Sequence, residues 1–358
     1  VVSGFETLQI DLTTANTNID LDTYSNNTFT KVVLDDSDYS TISSVRSEVI
    51  ELTKVVGGVG TITLEDATGT ADSITINSTS AAASTSTQTN ALTIAGVETV
   101  NIVTDDTDDT TFDQHTVKLI AAAATTVNLT GDTGVILSTG TFAALTTVDG
   151  SGATIEGVST ASTVAGLTIV SDLTGVGEVI SYTGTNGVDT FTGHANTDET
   201  FIGGLGADHF DYLGRKGTFT LGGGADVVDI DTISNSDYTT NFLTITDIAD
   251  GDIIDYAGIT AGTDTWDDTE IELGSSATLK NYLDNAVSGS TGHQNTAAKW
   301  FRYGGDTYIA FDRLAATTWT NETTVADGTG DFLIKLTGSL DISGTTLGGT
   351  SQLTIDVA

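Results

Sequence analysis

The chain has 358 residues, with 49 acidic against 11 basic side chains for a formal net charge of −38, and it contains no Cys, Met or Pro. Such a charge repels nucleic acid and anionic membranes and leaves most carboxylates without a basic partner, so divalent cations, Ca2+ first, are the counter-charge to expect. Disulfide and thiolate chemistry are excluded. No apolar run reaches the roughly 18 residues that span a bilayer, so neither nucleic-acid binding nor membrane insertion is expected.

From residue 1 to about 185, short alternating runs (VNIV, TVNLT, GVILST, GLTIV, EVISY) are separated by Gly, Asp, Asn and Ser clusters, which predicts β-structure throughout. No charged-then-apolar leader is visible, so no classical signal peptide is expected. Gly4-Phe5-Glu6-Thr7-Leu8-Gln9-Ile10 returns as Gly96-Val97-Glu98-Thr99-Val100-Asn101-Ile102, with weaker echoes at Ser47 to Ile50 and Gly177 to Ile180. This recurrence suggests two β repeat units, 1–95 and 96–183. Val127, Val148 and Ile169 lie 21 residues apart in similar phrases. A solenoid and a ladder of hairpins both produce such spacing, and the shorter period that follows favours the solenoid. The Thr-rich runs do not read as one register, so no regular Thr-x-Thr face is expected.

The shorter period occupies 184–231. Phe191, Phe201, Phe210, Phe219 and Val228 are nine apart except for one insertion before Phe201. Asp189, Asp208 and Asp226 precede them by two, Asp198 stands one further back, and Gly217 takes the aspartate's place in the fourth turn. Glycines at 184, 187, 203, 204, 206, 222 and 224 permit backbone angles that turn carbonyl oxygens inward, and each aspartate adds a carboxylate. Turns two repeats apart stack, so Asp189, Asp208 and Asp226 are expected to share one side and frame Ca2+ ions in shells of six to eight oxygens. Asp198, stacked on Gly217, is expected to give a weak site or none.

Beyond 232 all three Trp appear and a conventional core begins, expected to form a small β-rich cap over 232–358. Ser275-Ser276 followed by Leu279, Tyr282, Leu283 and Ala286 predicts the chain's one helix. Trp300 to Tyr303 and Thr307 to Phe311 around Gly304-Gly305-Asp306 predict a hairpin.

Residues 184–231 resemble the repeats-in-toxin (RTX) nonapeptide array, G-G-x-G-x-D-x-U-x with U apolar. Gly203 to Asp211 matches in full; Leu221 to Asp229 departs at the first glycine and Gly184 to Thr192 at the second. The resemblance implies a Ca2+-binding parallel β-roll with Gly184, Gly187, Gly203, Gly204, Gly206, Gly222 and Gly224 and Asp189, Asp198, Asp208 and Asp226 as its metal-site residues. Ile245 to Ile259 is similar to the phrase that follows such arrays, and Tyr308 to Asp312 with Asp331 to Gly338 to their C-terminal hairpin region. The tail LTIDVA is compatible with a type I secretion signal. The Thr/Ser/Gly-rich first half resembles surface-layer (S-layer) proteins of that secretion class. Together these imply an all-β, extracellular, Ca2+-dependent, self-assembling lattice or filament subunit, with a cell-surface polysaccharide as a further partner. An adhesin or a non-catalytic segment of an exoenzyme is the alternative.

Neither H-E-x-x-H nor G-x-S-x-G occurs, so no enzyme activity is expected. His115, His194, His209 and His293 are expected on the surface. The runs Asp35-Asp36-Ser37-Asp38 and Asp105-Asp106-Thr107-Asp108-Asp109 either clamp Ca2+ or stand as solvated loops. Asn26-Asn27-Thr28, Asn77-Ser78-Thr79, Asn128-Leu129-Thr130 and Asn321-Glu322-Thr323 fit glycosylation sequons, several of which chance alone supplies.

Overall fold

The structure is a computed structural model describing residues 4–10, 18–34, 41–46, 48–52, 60–80, 91–106, 114–138, 141–157, 163–169, 179–194, 198–213, 216–230, 238–256, 265–288, 297–312, 318–319, 331–348 and 351–358. Among these the chain is mostly β, with one α-helix and large parallel sheets. No helix among them is long and apolar enough to cross a membrane. Two compact units divide the chain, Val1–Phe191 and Thr192–Ala358.

In the first unit the chain alternates between sheets. Thr7–Ile10, Lys31–Leu34, Val49–Leu52, Ser73–Ser80, Thr99–Asp106, Thr126–Gly131, Thr147–Ala153 and Val179–Thr183 pair in that order, all parallel. Asn18–Asp20, Thr41–Val45, Gly60–Leu64, Leu92–Ala95 and Leu119–Ile120 form a second parallel sheet. Gln114–Val117, Gly134–Leu137, Ala165–Ile169 and Val188–Thr192 form a third. Period-2 alternation sends one set of side chains inward, where in-register parallel pairing stacks like on like. Val32, Ile50, Ile76, Ile102 and Leu129 make one buried column; Ile74, Val100, Val127, Val148 and Tyr182 make the next. The recurring Thr7 and Thr99 phrases therefore begin strands of one sheet, with three strands between them.

One expectation needs correction. Val127 and Val148 are partners, but Ile169 belongs to another sheet and pairs with Leu137, because the chain changes sheets between 153 and 165; the residue opposite Val148 is Tyr182. One column of outward hydroxyls, Ser73, Thr99, Thr126, Thr147 and Ser181, aligns across five strands beside Thr75, Asn101, Asn128, Asp149 and Thr183, and none of these strands carries Thr-x-Thr at those positions. Unequal loops hide this alignment in the sequence. Thr suits the outer face because its β-branch favours the strand while its hydroxyl meets water, and Asn128 Nδ2 donates to Asn101 Oδ1 at 2.9 Å.

In the second unit Asp198–Leu205, Lys216–Gly223, Leu243–Ile245 and Phe332–Leu336 are parallel neighbours, continued by antiparallel Asp306–Phe311 and Ala297–Tyr303. Opposite lie His209–Asp211, Val227–Ile230 and Ile253–Tyr256, parallel, followed by antiparallel Gln352–Thr354 and Thr346–Gly348. All four of Phe201, Phe210, Phe219 and Val228 are fully buried. Phe219 sits 4.6 Å edge-on from Phe201 and 5.6 Å stacked on Phe210. The expected hairpin is present: Tyr303 pairs with Asp306 around Gly304 and Gly305, whose φ of 65° and 95° suit a two-residue turn. The helix runs Leu279–Val287, starting later than Ser275-Ser276 implied, because Thr278 caps it by a reciprocal box with Asn281. It packs Leu283, Ala286 and Val287 on Phe301, Tyr308 and Leu333.

Phe219→Ala removes the ring shared by both neighbours and should cost about 3–5 kcal/mol, measured by chemical denaturation of the whole chain. A loss under about 1 kcal/mol would mean that the ring is not packed as described.

Candidate metal centre

Several repeat turns bury a carboxylate against backbone N–H groups. In the second unit Asp208 and Asp226 are 0% and 1% exposed. Asp226 Oδ1 accepts the Asp208 N–H at 2.7 Å, and Asp252 Oδ1 accepts the Asp226 N–H at 3.0 Å. Asp252 Oδ2 takes the Ala249 N–H at 2.8 Å, whereas Asp226 Oδ2 is buried with no hydrogen-bond partner. Asp252 was not anticipated from the sequence. Its turn, Asp247 to Asp252, has only Gly251 of the usual glycines, yet Ile253 pairs with Val227 and the turn continues the stack. The available signal was the aspartate two before buried Ile254. Asp247 reinforces the join by accepting the N–H groups of Leu221 and Gly222 at 2.7 and 2.9 Å.

In the first unit Asp189 follows the same logic. Its carboxylate accepts the Leu167 N–H, the Thr185 N–H at 2.8 Å and the Thr185 hydroxyl at 3.0 Å.

Asp198 does not occupy the carboxylate position assigned to it. It pairs with Lys216, and Glu199, two before Phe201, stands opposite Gly217. Glu199 is the buried acid, accepting the His194 N–H. Its longer side chain reaches over Gly193, where a Cβ would lie 2.6 Å from Glu199 Oε2. Its signal in the sequence is the offset of two residues before Phe201.

The glycines divide by physical role. Gly204, Gly206, Gly222 and Gly224 have φ between 98° and 153°, as their turn role requires. Gly184, Gly187 and Gly203 do not have positive φ; at Gly187 and Gly203 the requirement is space. A Cβ on Gly203 would lie 2.2 Å from Leu221 O and 2.3 Å from Asp208 Oδ2, and one on Gly187 3.0 Å from the 164–166 backbone. Gly184 is buried and follows the strand Val179–Thr183.

Burial pushes the Asp189 and Asp226 carboxyls up to about 7, only partly opposed by their N–H bonds; Asp252 and Asp247 push Asp226 further. Burial also raises Asp252. Among the described residues no three His, Cys, Asp or Glu side chains converge as a metal-holding group. Any cation here would therefore draw on turn carbonyls together with one or two carboxylates. The all-oxygen donor set and the unpaired Asp226 Oδ2 fit a hard cation such as Ca2+.

Of the histidines, His115 corrects the surface expectation. It is fully buried, with Nδ1 2.9 Å from Ser78 O and 3.0 Å from Ser78 Oγ, because position 115 faces inward and small Ser78 leaves room for the ring. His194 is half-buried, and His209 is partly exposed, 3.7 Å from Asp229 Oδ2. Asp105 and Asp106 end a strand. Residues 35–38, 107–109 and 257–259, His293 and the sequon 321–323 lie outside the described residues.

No protein-family model matches the chain, and no curated protein matches it either. The site must be judged on its own chemistry.

In chelator, Asp189 and Asp226 are neutral when folded and ionised when unfolded between about pH 4 and about pH 7. Their folded values are raised, so their contribution to stability is complete below about pH 4 and is lost as pH rises through about 7. The denaturation midpoint should fall across that window, and Asp226→Asn should flatten the fall; a slope unchanged in Asp226→Asn would contradict the assignment.

Gly222→Ala and Gly251→Ala both meet a positive φ (98° and 94°), but only the first meets atoms, with Gly204 O 2.2 Å from the added Cβ. Gly251→Ala should cost about 1–2 kcal/mol and Gly222→Ala a further 1–3 kcal/mol or so. Equal losses in denaturation would dispose of the close approach between turns.

Proposed function

We propose that this chain is a Ca2+-stabilised structural protein of a secreted surface lattice, an S-layer subunit or its filament equivalent. In this reading the turns of 184–231 form an RTX-type parallel β-roll, and the first unit is a β-solenoid whose chain alternates between parallel sheets. The observation that carries the cation part is the buried carboxylate ladder of the second unit, in which Asp226 keeps an oxygen without a hydrogen-bond partner. A cation is the natural occupant of such a position at pH 7, where it replaces a proton held only by burial.

The carbonyls of the turns 203–206 and 222–224 with Asp208 and Asp226 would hold the ion, as would Asp189 with the turn 184–187 in the first unit. When bound, Ca2+ supplies charge neutralisation. The protein's own residues do the rest: glycines admit the neighbouring turn, carboxylates tie N–H groups, and phenylalanines fill the interior. In a low-Ca2+ cytosol the charge ladder disfavours folding, which suits export in an unfolded form by type I secretion, and folding follows outside.

Self-assembly is the second part. A net charge of −38 makes copies repel, so divalent ions shared between subunits are what would let a lattice form. The aligned Ser and Thr column at 73, 99, 126, 147 and 181 offers hydrogen-bonding surface to other subunits or to a cell-surface polysaccharide.

Electron microscopy of the purified chain at micromolar concentration, with millimolar Ca2+ and with chelator, tests the reading. Ordered sheets or filaments should form with Ca2+ only. Monodisperse particles in both conditions would reject the lattice and favour an adhesin or exoenzyme segment.

A further inference from the structure

We propose that Asn26 is the acceptor of an N-linked oligosaccharide and that Tyr24 packs against its first sugar. The fold separates the three sequons among the described residues. Asn77 and its hydroxyl residue Thr79 both lie inside the extended strand Ser73–Ser80, Asn77 flanked by Glu51 and Val103, and Ser78 between them is fully buried against His115. Asn128 lies within the same sheet with its amide donated to Asn101. A transferase must read the amide and the hydroxyl of one bent segment together, and neither strand presents them.

Asn26 does. It is exposed in the turn Tyr24 to Asn27, closed by the Asn27 N–H donating to Tyr24 O at 2.8 Å, and Thr28 is exposed two residues on. Asn27 is engaged, its Oδ1 accepting the Phe5 N–H at 3.1 Å. Asn26 makes no side-chain hydrogen bond among the described residues, so Nδ2 is available for reaction.

A second, independent observation concerns the surface beside it. Of the four large hydrophobic side chains exposed among the described residues, two border this turn: Tyr24 at 42% and Phe5 at 55%. Tyr24 is held edge-on to buried Phe29 at 5.9 Å, so its ring is positioned rather than free. A pyranose carries an apolar face of C–H groups that packs on an aromatic ring, and an aromatic two residues before the acceptor places a ring where the first sugar must lie. The sugar would cover apolar surface that the protein leaves in water.

The chemistry balances with a polyprenyl-pyrophosphate-linked oligosaccharide as donor. Asn26 Nδ2 attacks C1 of the first sugar and loses a proton to a base of the transferase. The C1–O bond to pyrophosphate breaks and polyprenyl pyrophosphate departs; no oxidant or reductant takes part. The cation sites are not involved.

The test is peptide mapping by mass spectrometry of the protein isolated from the cells that produce it. An oligosaccharide mass is expected on the peptide carrying Asn26 and on neither peptide carrying Asn77 or Asn128. Bare Asn26 overturns the proposal, as does comparable occupancy at Asn77 or Asn128. In the same cells Asn26→Gln should abolish the modification, Tyr24→Phe should preserve it, and Tyr24→Ala should lower occupancy severalfold at an unchanged thermal midpoint. Full occupancy in Tyr24→Ala would remove Tyr24 from the site.

Discussion

Where short parallel strands stack, each turn must satisfy backbone N–H groups that point toward the interior, away from water and off the strand ladder. Here a carboxylate accepts them. Asp226 serves the N–H of Asp208, Asp252 that of Asp226, and Asp189 those of Leu167 and Thr185. Much of the local structure follows from that one requirement. The acid must be buried, its neighbour must lack a Cβ where the carboxylate lies, and the apolar side chain two residues on must close the interior beside it. Gly203 under Asp208 and Gly166 under Asp189 meet the second condition; Phe210 and Phe191 meet the third.

The same requirement creates an electrostatic problem. An ionised carboxylate removed from water without a counter-charge is costly, and Asp226 also has the acidic neighbours Asp252 and Asp247. Either a proton or a cation can relieve the cost. With raised values near 7 for Asp189 and Asp226, protons do so in acid and are progressively unavailable above neutrality. An oxygen-seeking divalent ion would do so at higher pH, and the proposed role of Ca2+ grows out of this competition. Asp252 ends the ladder, its two oxygens accepting the N–H groups of Asp226 and Ala249.

Much of this was legible in the sequence because its signals are local. The nine-residue spacing located buried Phe191, Phe201, Phe210, Phe219 and Val228, and paired glycines located the hairpin at 304–305. What stayed hidden depends on distant partners. Ile169 shares a phrase with Val148 but not a sheet, since phrase resemblance carries no information on which sheet a strand joins. The aligned hydroxyl column is concealed by loops of unequal length. His115 looks like a surface residue until Ser78 is brought beneath it from 37 positions earlier. Glu199 is masked in the sequence by adjacent Asp198, the residue type usual at this position of the turn, and Asp252 by the loss of glycines around it.

The central claim is that cation binding, not the bare sequence, holds the repeat turns in their stacked arrangement at neutral pH. Hydrogen–deuterium exchange of the full chain at pH 7.5, with millimolar Ca2+ and with chelator, measures this at the turns themselves. The account predicts strong protection of peptides covering 203–211 and 222–229 with Ca2+ and its loss with chelator. Equal protection in the two conditions would contradict it.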